Sequence, residues 1–163
     1  GGAEAILIPE IPFSYQKVAD AINKMHDDGV DSALMVVAEG AKPLDGEQIV
    51  KDSNEGGEIR LGGLGEQVAD EIAKRTGRDT RSVTLGHLQR GGTPTSWDRV
   101  LATRFGVKAV KMIEDGEFGR MVSYQQYHVG SVSIEEAVEK LNVVDPQGEV
   151  VEAAKAVGIC FGD

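Results

Sequence analysis

The stretch TLGHLQRGGTPTSWDR, residues 84–99, decides how this chain is interpreted, because it joins two secondary-structure patterns through a glycine-rich turn. Residues 80–85 have the composition of a strand, and Thr95 or Ser96 provides the cap of a helix that follows. The turn between them contains His87, Arg90, Gly91 and Gly92. We therefore predict a strand, a turn and a helix, with the turn as the candidate ligand site.

Apolar runs alternate with stretches of helical periodicity along the rest of the chain. The predicted strands are residues 5–10, 33–38, 80–85 and 120–125. The predicted helices begin at Ser14, Glu66, Thr95 or Ser96, Ser133 and Val150. This alternation predicts an α/β fold with a mostly parallel sheet layered with helices. The run ALMVVA, residues 33–38, has no polar alternation, which predicts burial on both faces of its strand.

Residues 41–65 form a polar, glycine-rich stretch that is longer than most connections between secondary-structure elements. We interpret it either as a functional excursion or as a mobile loop. The segment LGGLG, residues 61–65, imitates a nucleotide loop only weakly, because it lacks the lysine and the full spacing of a P-loop.

Composition and charge exclude several classes of partner. The chain has 163 residues and a net charge of −10, so nucleic acid and an anionic membrane surface would both be repelled. Residues 74–104 contain seven basic and two acidic side chains, a local charge of +5, so the other residues carry −15. A cationic region in an acidic chain predicts a small anionic ligand. With one cysteine and no signal peptide, we expect a soluble cytoplasmic protein.

The chain begins GGAEAILIP, so an apolar strand-like run starts almost at once, with no initiator methionine. We therefore expect it to be a piece of a longer protein.

Three side chains lie where ligands gather in a parallel sheet, beyond the carboxyl ends of strands. Glu39 follows the run of residues 33–38, where its carboxylate can accept hydrogen bonds from a polyhydroxylated ligand. His87 and Arg90 follow the strand predicted at residues 80–85, and an imidazole beside a guanidinium suits a phosphate monoester. Alone, Glu39 is most simply a helix cap or an ion-pair partner; the convergence at the turn argues more strongly for a ligand.

Arg81 lies too far along the predicted strand to share this phosphate. Six residues at about 3.3 Å per residue separate Arg81 from His87 by roughly 20 Å. Arg81 therefore pairs with the acidic surface of its own subunit or serves the site of a neighbouring subunit, and the second alternative requires an oligomer.

No sequence motif supplies a complete catalytic apparatus. The chain contains no G-x-x-x-x-G-K-[ST] loop, no H-E-x-x-H motif, no cluster of cysteine and histidine, and no nucleophile with an adjacent base. We therefore expect the chain to hold a sugar phosphate without transforming it alone.

The segment LGHLQRGGTPTSWDRVLATRFG, residues 85–106, resembles the signature segment of the 6-phosphofructokinase family. ILIPEIPF, residues 6–13, and VVAEGA, residues 36–41, are similar to family segments in the same order. The likeness covers nearly the whole chain, which would form the carboxyl-terminal half of a bacterial enzyme. The long segment is specific, whereas the two short ones are weak alone.

The resemblance implies transfer of a phosphoryl group to the 1-hydroxyl of fructose 6-phosphate. It implies that Glu39 contacts the sugar hydroxyls and that His87 and Arg90 hold the 6-phosphate. It also implies that Arg81 reaches into the site of a neighbouring subunit, in a dimer or a tetramer.

The family's domain organisation implies that residues 1–90 are part of a sugar-phosphate-binding domain. Residues 91–145 would belong to the donor-binding domain, and residues 146–163 would return to the first domain. The family's donor loop and its catalytic aspartate lie in the other half, together with Mg²⁺ bound through the donor. This chain would then contain no catalytic residue and be inactive alone.

Three questions stay open from the sequence. The donor is ATP in our preferred interpretation and pyrophosphate in the nearest alternative, towards which the long stretch of residues 41–65 leans. Bacterial family members carry a lysine-rich effector segment where this chain has HDDGVD, residues 26–31, so effector control of that type is not expected. A non-catalytic sugar-phosphate sensor is the alternative from another class.

Overall fold

The computed structural model describes residues 2–44, 50–53, 59–61 and 63–163. The chain divides into two compact units, the first formed by Gly1–Thr84 with Val143–Asp163 and the second by Leu85–Asn142. None of the helices in the described ranges is long and apolar enough to cross a membrane.

The first unit is built on a parallel pair of strands, β1 (Ala5–Leu7) and β2 (Met35–Val37), in the register Ala5 to Met35. A parallel bridge from Ala5 to Cys160 adds the end of the chain on the other side of β1. Three helices complete the unit: α1 (Tyr15–Asp27), α2 (Leu64–Thr76) and α5 (Glu149–Ala156). The predicted α/β alternation with parallel pairing is therefore present.

Helices cover β1 on both faces. Leu7 lies fully buried in a cluster with Val18 of α1 and Val68 of α2, together with Phe13. Residues on the opposite face of β1 pack against a second cluster, which contains Val151 of α5. Alternate residues of one strand thus enter two apolar clusters, as expected for a strand between layers of helices.

The second strand does not follow the prediction of burial on both faces. Met35 and Val37 pack against the cluster that contains Leu7, but the side chain of Val36 between them is 51% exposed. Among the described residues, nothing covers this face of β2. The apolar run predicted burial on both faces, but only one face is buried within the described chain.

Local signals placed the helix ends correctly. Ser14 caps α1 by accepting a hydrogen bond from the backbone N–H of Lys17, and α1 ends just before Gly29, whose φ is +90°. Glycine adopts a positive φ without the steric penalty of a side chain. The helix predicted from Glu66 is α2, which begins two residues earlier at Leu64.

Two short antiparallel strands, β3 (Val50–Ser53) and β4 (Ile59–Leu61), lie within the stretch predicted as a loop at residues 41–65. Part of the stretch that we interpreted as a functional excursion or a mobile loop therefore has secondary structure. The rest of it falls largely at residues 45–49, 54–58 and 62, outside the described residues.

The second unit contains the turn of interest. A 3₁₀ helix (Gly86–Arg90) precedes α3 (Ser96–Glu114), followed by the hairpin of β5 (Arg120–Gln125) and β6 (His128–Ser133) and by α4 (Ile134–Glu139). The strand β6 was not predicted. Gln126 and Tyr127 form the turn of this hairpin, and both have positive φ. Asn-Gly, the usual sequence signal of such a turn, is absent at these positions.

The strand predicted at residues 80–85 is wrong, because these residues form no regular secondary structure. A strand exists only where a neighbour provides a hydrogen-bonded ladder, and no described segment pairs with this one. Its apolar side chains are exposed, Val83 by 79%. The strand that the 20 Å estimate for Arg81 and His87 assumed is therefore not formed.

Gly162 provides a test of how tightly the first unit is packed. A Cβ at Gly162 would lie 2.8 Å from the Cβ of Phe13 and 2.9 Å from a methyl of Val18, whereas a Cβ at Gly158 would meet nothing within 4 Å. Both glycines have positive φ, +75° and +91°. Gly158→Ala should cost about 1 kcal/mol from backbone strain alone, and Gly162→Ala about 1–3 kcal/mol more from overpacking. Chemical denaturation measures both, and equal losses would contradict this packing.

Candidate functional site

His87 and Arg90 are the second and fifth residues of the same short helix, Gly86–Arg90, three residues apart. A 3₁₀ helix has three residues per turn, so side chains at i and i+3 lie on the same face. Both residues are exposed. Neither side chain forms a hydrogen bond or an ion pair with any residue that the structure describes. The structure therefore brings two cationic or polar donors together and leaves them open to solvent.

Two glycines end this helix. Gly92 has a φ of +114°, which a residue with a side chain rarely adopts. Gly91 donates its N–H to the carbonyl of Leu88 at 3.0 Å, and a Cβ at Gly91 would lie 3.2 Å from that same oxygen. Glycine is therefore favoured at position 92 by its φ, whereas a side chain at position 91 would require the Leu88 carbonyl to shift by a few tenths of an ångström.

A capping box fixes the start of α3. The backbone N–H of Asp98 donates to the hydroxyl of Thr95 at 3.3 Å, and the N–H of Thr95 donates to the Asp98 carboxylate at 2.7 Å. The Thr95 hydroxyl also donates to this carboxylate at 2.7 Å. These bonds, first that of the side chain and then that of the backbone, lower the pKa of Asp98. Of the two candidates for the cap, Thr95 and Ser96, the structure has Thr95.

The capping box limits what the start of α3 can offer an anion. Free N–H groups at the start of a helix add positive potential for an anion. One of them, that of Asp98, is taken by Thr95, and the Asp98 carboxylate itself lies at this helix end. The positive charge available to a ligand at this turn therefore comes mainly from Arg90.

Glu39 lies in the turn that follows β2. A Cβ at the next residue, Gly40, would lie 3.2 Å from the ring of Pro9, which follows β1, so the segments after the two strands approach closely. Because the strands are parallel, their carboxyl ends share one edge of the sheet. Glu39 is exposed at this edge and has no hydrogen bond or ion pair within the described ranges.

Arg81 contacts Asp79 at 3.3 Å, and the two side chains are 86% and 80% exposed. An ion pair this exposed contributes little, at most about 1 kcal/mol. This contact agrees with the first of the two alternatives for Arg81, and it is weak enough to be exchanged for a ligand.

Two cavities lie elsewhere, and none of the four predicted residues lines either of them. The first has a volume of 480 Å³, lies in the first unit, and is lined by Ile22, Asp31, Ser32, Ala33, Met35, Gly77, Arg78 and Asp79. The Nε of Arg78 is buried without a hydrogen-bond partner. Asp31 belongs to the segment HDDGVD, residues 26–31, which stands where bacterial family members have a lysine-rich effector segment. The second cavity lies beside α3, and no sequence pattern predicted it.

The chain belongs to the phosphofructokinase family, since residues 1–113 match the family described as Phosphofructokinase. It is 43% identical over all of its 163 residues to the protein named ATP-dependent 6-phosphofructokinase 1 from Synechocystis sp., covering 45% of that relative. The resemblance found from residues 85–106 is therefore confirmed.

Relatives with a different phosphoryl donor match equally well. The protein named pyrophosphate–fructose 6-phosphate 1-phosphotransferase from Amycolatopsis methanolica is 45% identical over 149 residues, which cover 90% of this chain and 43% of that relative. Among solved structures, phosphofructokinase from Saccharomyces cerevisiae superimposes with a TM-score of 0.59 at 26% identity, over 97% of this chain and 19% of that one. The α/β, phosphofructokinase-like fold is confirmed, and the chain spans less than half the length of these relatives.

The cap of α3 gives a prediction about the order of the turn. Thr95→Ala removes the hydroxyl that holds Asp98, and loss of a threonine cap costs about 1 kcal/mol. We expect hydrogen exchange in the first turn of α3 to accelerate by roughly fivefold. Thr103→Ala, in the middle of the same helix, should leave that turn unchanged. Equal protection in wild type and Thr95→Ala would contradict the capping role.

The pH dependence of this cap follows from the lowered pKa of Asp98. Its carboxylate has an ordinary pKa of 3.8. Because the folded pKa is lower, the stabilisation is complete above the unfolded value and is lost as pH falls through the lowered folded value. Protection of the first turn of α3 should therefore fall in acid for wild type, while Asp98→Asn should be less protected at neutral pH and lack this dependence. The same acid response in both proteins would refute the assignment.

Proposed function

We propose that this chain forms the fructose 6-phosphate side of an ATP-dependent 6-phosphofructokinase, the glycolytic enzyme that produces fructose 1,6-bisphosphate. The observation that carries the proposal is the pair His87 and Arg90, which share one exposed face of a 3₁₀ helix and have no partner within the described chain. The names of the relatives supply the substrate class, and the pair supplies the groups that would bind its phosphate.

The phosphate of the sugar is the natural ligand of this pair. Arg90 presents a planar array of N–H donors that suits two phosphate oxygens at once, and His87 adds a further donor from the same face. With no carboxylate paired to Arg90 among the described residues, its charge remains available. Phosphate binding at this turn would fix one end of the hexose.

Glu39 is the residue that we propose for the hydroxyls of the sugar. Its carboxylate accepts hydrogen bonds only, which suits the hydroxyls of a hexose and repels a second phosphate. The chain then contributes to phosphoryl transfer by positioning, which lowers the entropic part of the barrier.

Mg²⁺ is not assigned to any residue of this chain. Within the described ranges, no group of three or more histidine, cysteine, aspartate or glutamate side chains is arranged to hold a metal ion. Mg²⁺ would be bound through the phosphoryl donor by the other half of the enzyme, and the contribution proposed for this chain involves no metal.

Different parts of the chain would serve the two ligands. We assign residues 1–90, which include the 3₁₀ helix at the start of the second unit, to the sugar phosphate, residues 91–145 to the donor-binding domain, and residues 146–163 to a segment that returns to the first domain. In the second unit, Met112 is the only described hydrophobic residue that is buried. A unit with so small a core would be completed by the remaining length of the protein, and the catalytic protein would be a cytoplasmic homo-oligomer.

Pyrophosphate is the alternative donor. The relative from Amycolatopsis methanolica carries that activity in its name and is as similar to this chain as the ATP-dependent relatives are. Steady-state assays of the full-length protein with each donor distinguish the two, and binding of fructose 6-phosphate without turnover with either would indicate a sensor.

Removing either phosphate ligand should weaken substrate binding. In the full-length protein, His87→Ala and Arg90→Ala should each reduce the affinity for fructose 6-phosphate by about 1.5–3 kcal/mol, the range for hydrogen bonds to charged groups. His128→Ala and Lys140→Ala remove similar exposed groups from the same unit and should have no effect. Calorimetry measures all four, and unchanged affinity in both of the first two would overturn the phosphate assignment.

Mixed oligomers test whether Arg81 serves a neighbouring subunit. Arg81→Ala and His87→Ala should each lower activity, but an oligomer containing both kinds of subunit has one intact site wherever Arg81 and His87 come from different chains. Random mixing of two such variants as dimers should restore about a quarter of wild-type activity. No recovery after mixing, with mixed oligomers confirmed by mass, would mean that Arg81 acts within its own subunit or not at all.

A further inference from the structure

A groove of 330 Å³ lies in the second unit, between α3 and the strand β6. It is lined by Thr103, Arg104, Val107, Lys108, Lys111 and Val129. None of these residues belongs to the turn that carries His87 and Arg90, and none was selected from the sequence. Three of the six side chains are cationic, in a chain whose net charge is −10.

The three cations follow one side of α3. Arg104, Lys108 and Lys111 are spaced by four and three residues, the spacing that places side chains on one helix face. From the first to the third, the helix rises by about 10 Å. The groove therefore presents a row of positive charges rather than a single point charge.

Arg104 is held at the wall of the groove. Its guanidinium donates to the carbonyl of Tyr127 at 3.2 Å and lies 5.7 Å from the ring centre of Tyr124. Tyr127 and Gln126 form the hairpin turn with φ of +69° and +47°, a conformation that costs energy for residues with side chains. This fixed arrangement orients the guanidinium before any ligand arrives.

The nearby carboxylates do not neutralise the row. Glu117 lies 3.9 Å from Lys108 and also 3.9 Å from Arg120, so one negative charge is shared by two cations. The hydroxyl of Ser131 donates to the same carboxylate. Glu114 and Asp115 follow Lys111 along the chain, yet Lys111 has no ion pair in the part of the chain described here. Positive charge remains in excess along the groove.

From this geometry we propose that the groove binds a linear polyphosphate, either free or as the tail of a nucleotide. A row of three cations over about 10 Å matches a chain of phosphates better than a single phosphate ester, because each unit of the chain meets its own cation. The aliphatic side chains of Val107 and Val129 form part of the wall beside the charges. The acidic remainder of the chain disfavours a long polyanion such as nucleic acid.

Charge reversal at the exposed end of the row tests this site. Inorganic triphosphate is titrated by calorimetry into the full-length wild type and into Lys111→Glu, with fructose 6-phosphate saturating. Lys140→Glu is the matched control, since it makes the same charge change in the same unit outside the groove. Wild type and Lys140→Glu should bind one more triphosphate per chain than Lys111→Glu, or bind it at least tenfold more tightly.

Two further arms identify the source of the phosphate and guard against misfolding. If Lys111→Glu also binds one ATP fewer per chain, the ligand is a nucleotide tail. If it binds fewer triphosphates but as many ATP molecules, the ligand is a free polyphosphate. Lys111→Gln should lose less triphosphate binding than Lys111→Glu. All variants should have the same melting temperature as the wild type. His87→Ala should retain this triphosphate site even if it loses fructose 6-phosphate. Equal triphosphate binding by Lys111→Glu and Lys140→Glu would overturn the proposal.

Discussion

The account depends on the geometry of one short helix. Three residues per turn place His87 and Arg90 on the same face, and the glycines at 91 and 92 end the helix at an angle that side chains would not permit. The cap formed by Thr95 and Asp98 then fixes the beginning of the next helix. If this turn were extended, side chains three residues apart would point to opposite faces, and a phosphate would meet only one of the imidazole and the guanidinium.

The charge distribution determines what this turn selects. A chain with net charge −10 repels large anions over most of its surface, so its cationic turn and its cationic groove favour a small anion. Arg90, at the 3₁₀ turn, and Lys111, in the groove beside α3, have no ion pair within the described residues. By contrast, Lys74 and Arg75 are both engaged by Glu71, which raises the pKa of Lys74 and lowers that of Glu71. These two cations serve the structure of α2.

The sequence predicted elements whose signals are local. Ser14, Thr95 and Ser133 each cap a helix as predicted, because a cap depends only on residues three or four positions away. Elements that depend on distant partners were predicted less well. Residues 80–85 have a strand composition but no neighbour within the described chain. The strand β6 was missed because Gln126 and Tyr127 give no turn signal.

The candidate site was predictable in its residue types but not in its form. The segment of residues 85–106 is specific enough to identify the family and, with it, the roles proposed for Glu39, His87, Arg90 and Arg81. That the turn is a 3₁₀ helix depends on backbone geometry that composition does not encode. The groove beside α3 was out of reach, because it requires knowing that Val129 of an unpredicted strand lies opposite Lys108.

The most direct measurement is a crystal structure of the full-length protein with fructose 6-phosphate bound. We expect phosphate oxygens within about 2.7–3.2 Å of a ring nitrogen of His87 and of the guanidinium of Arg90 in the same subunit. The hydroxyls of that sugar should lie against Glu39. A sugar phosphate bound elsewhere, with both side chains still in solvent, would contradict the account.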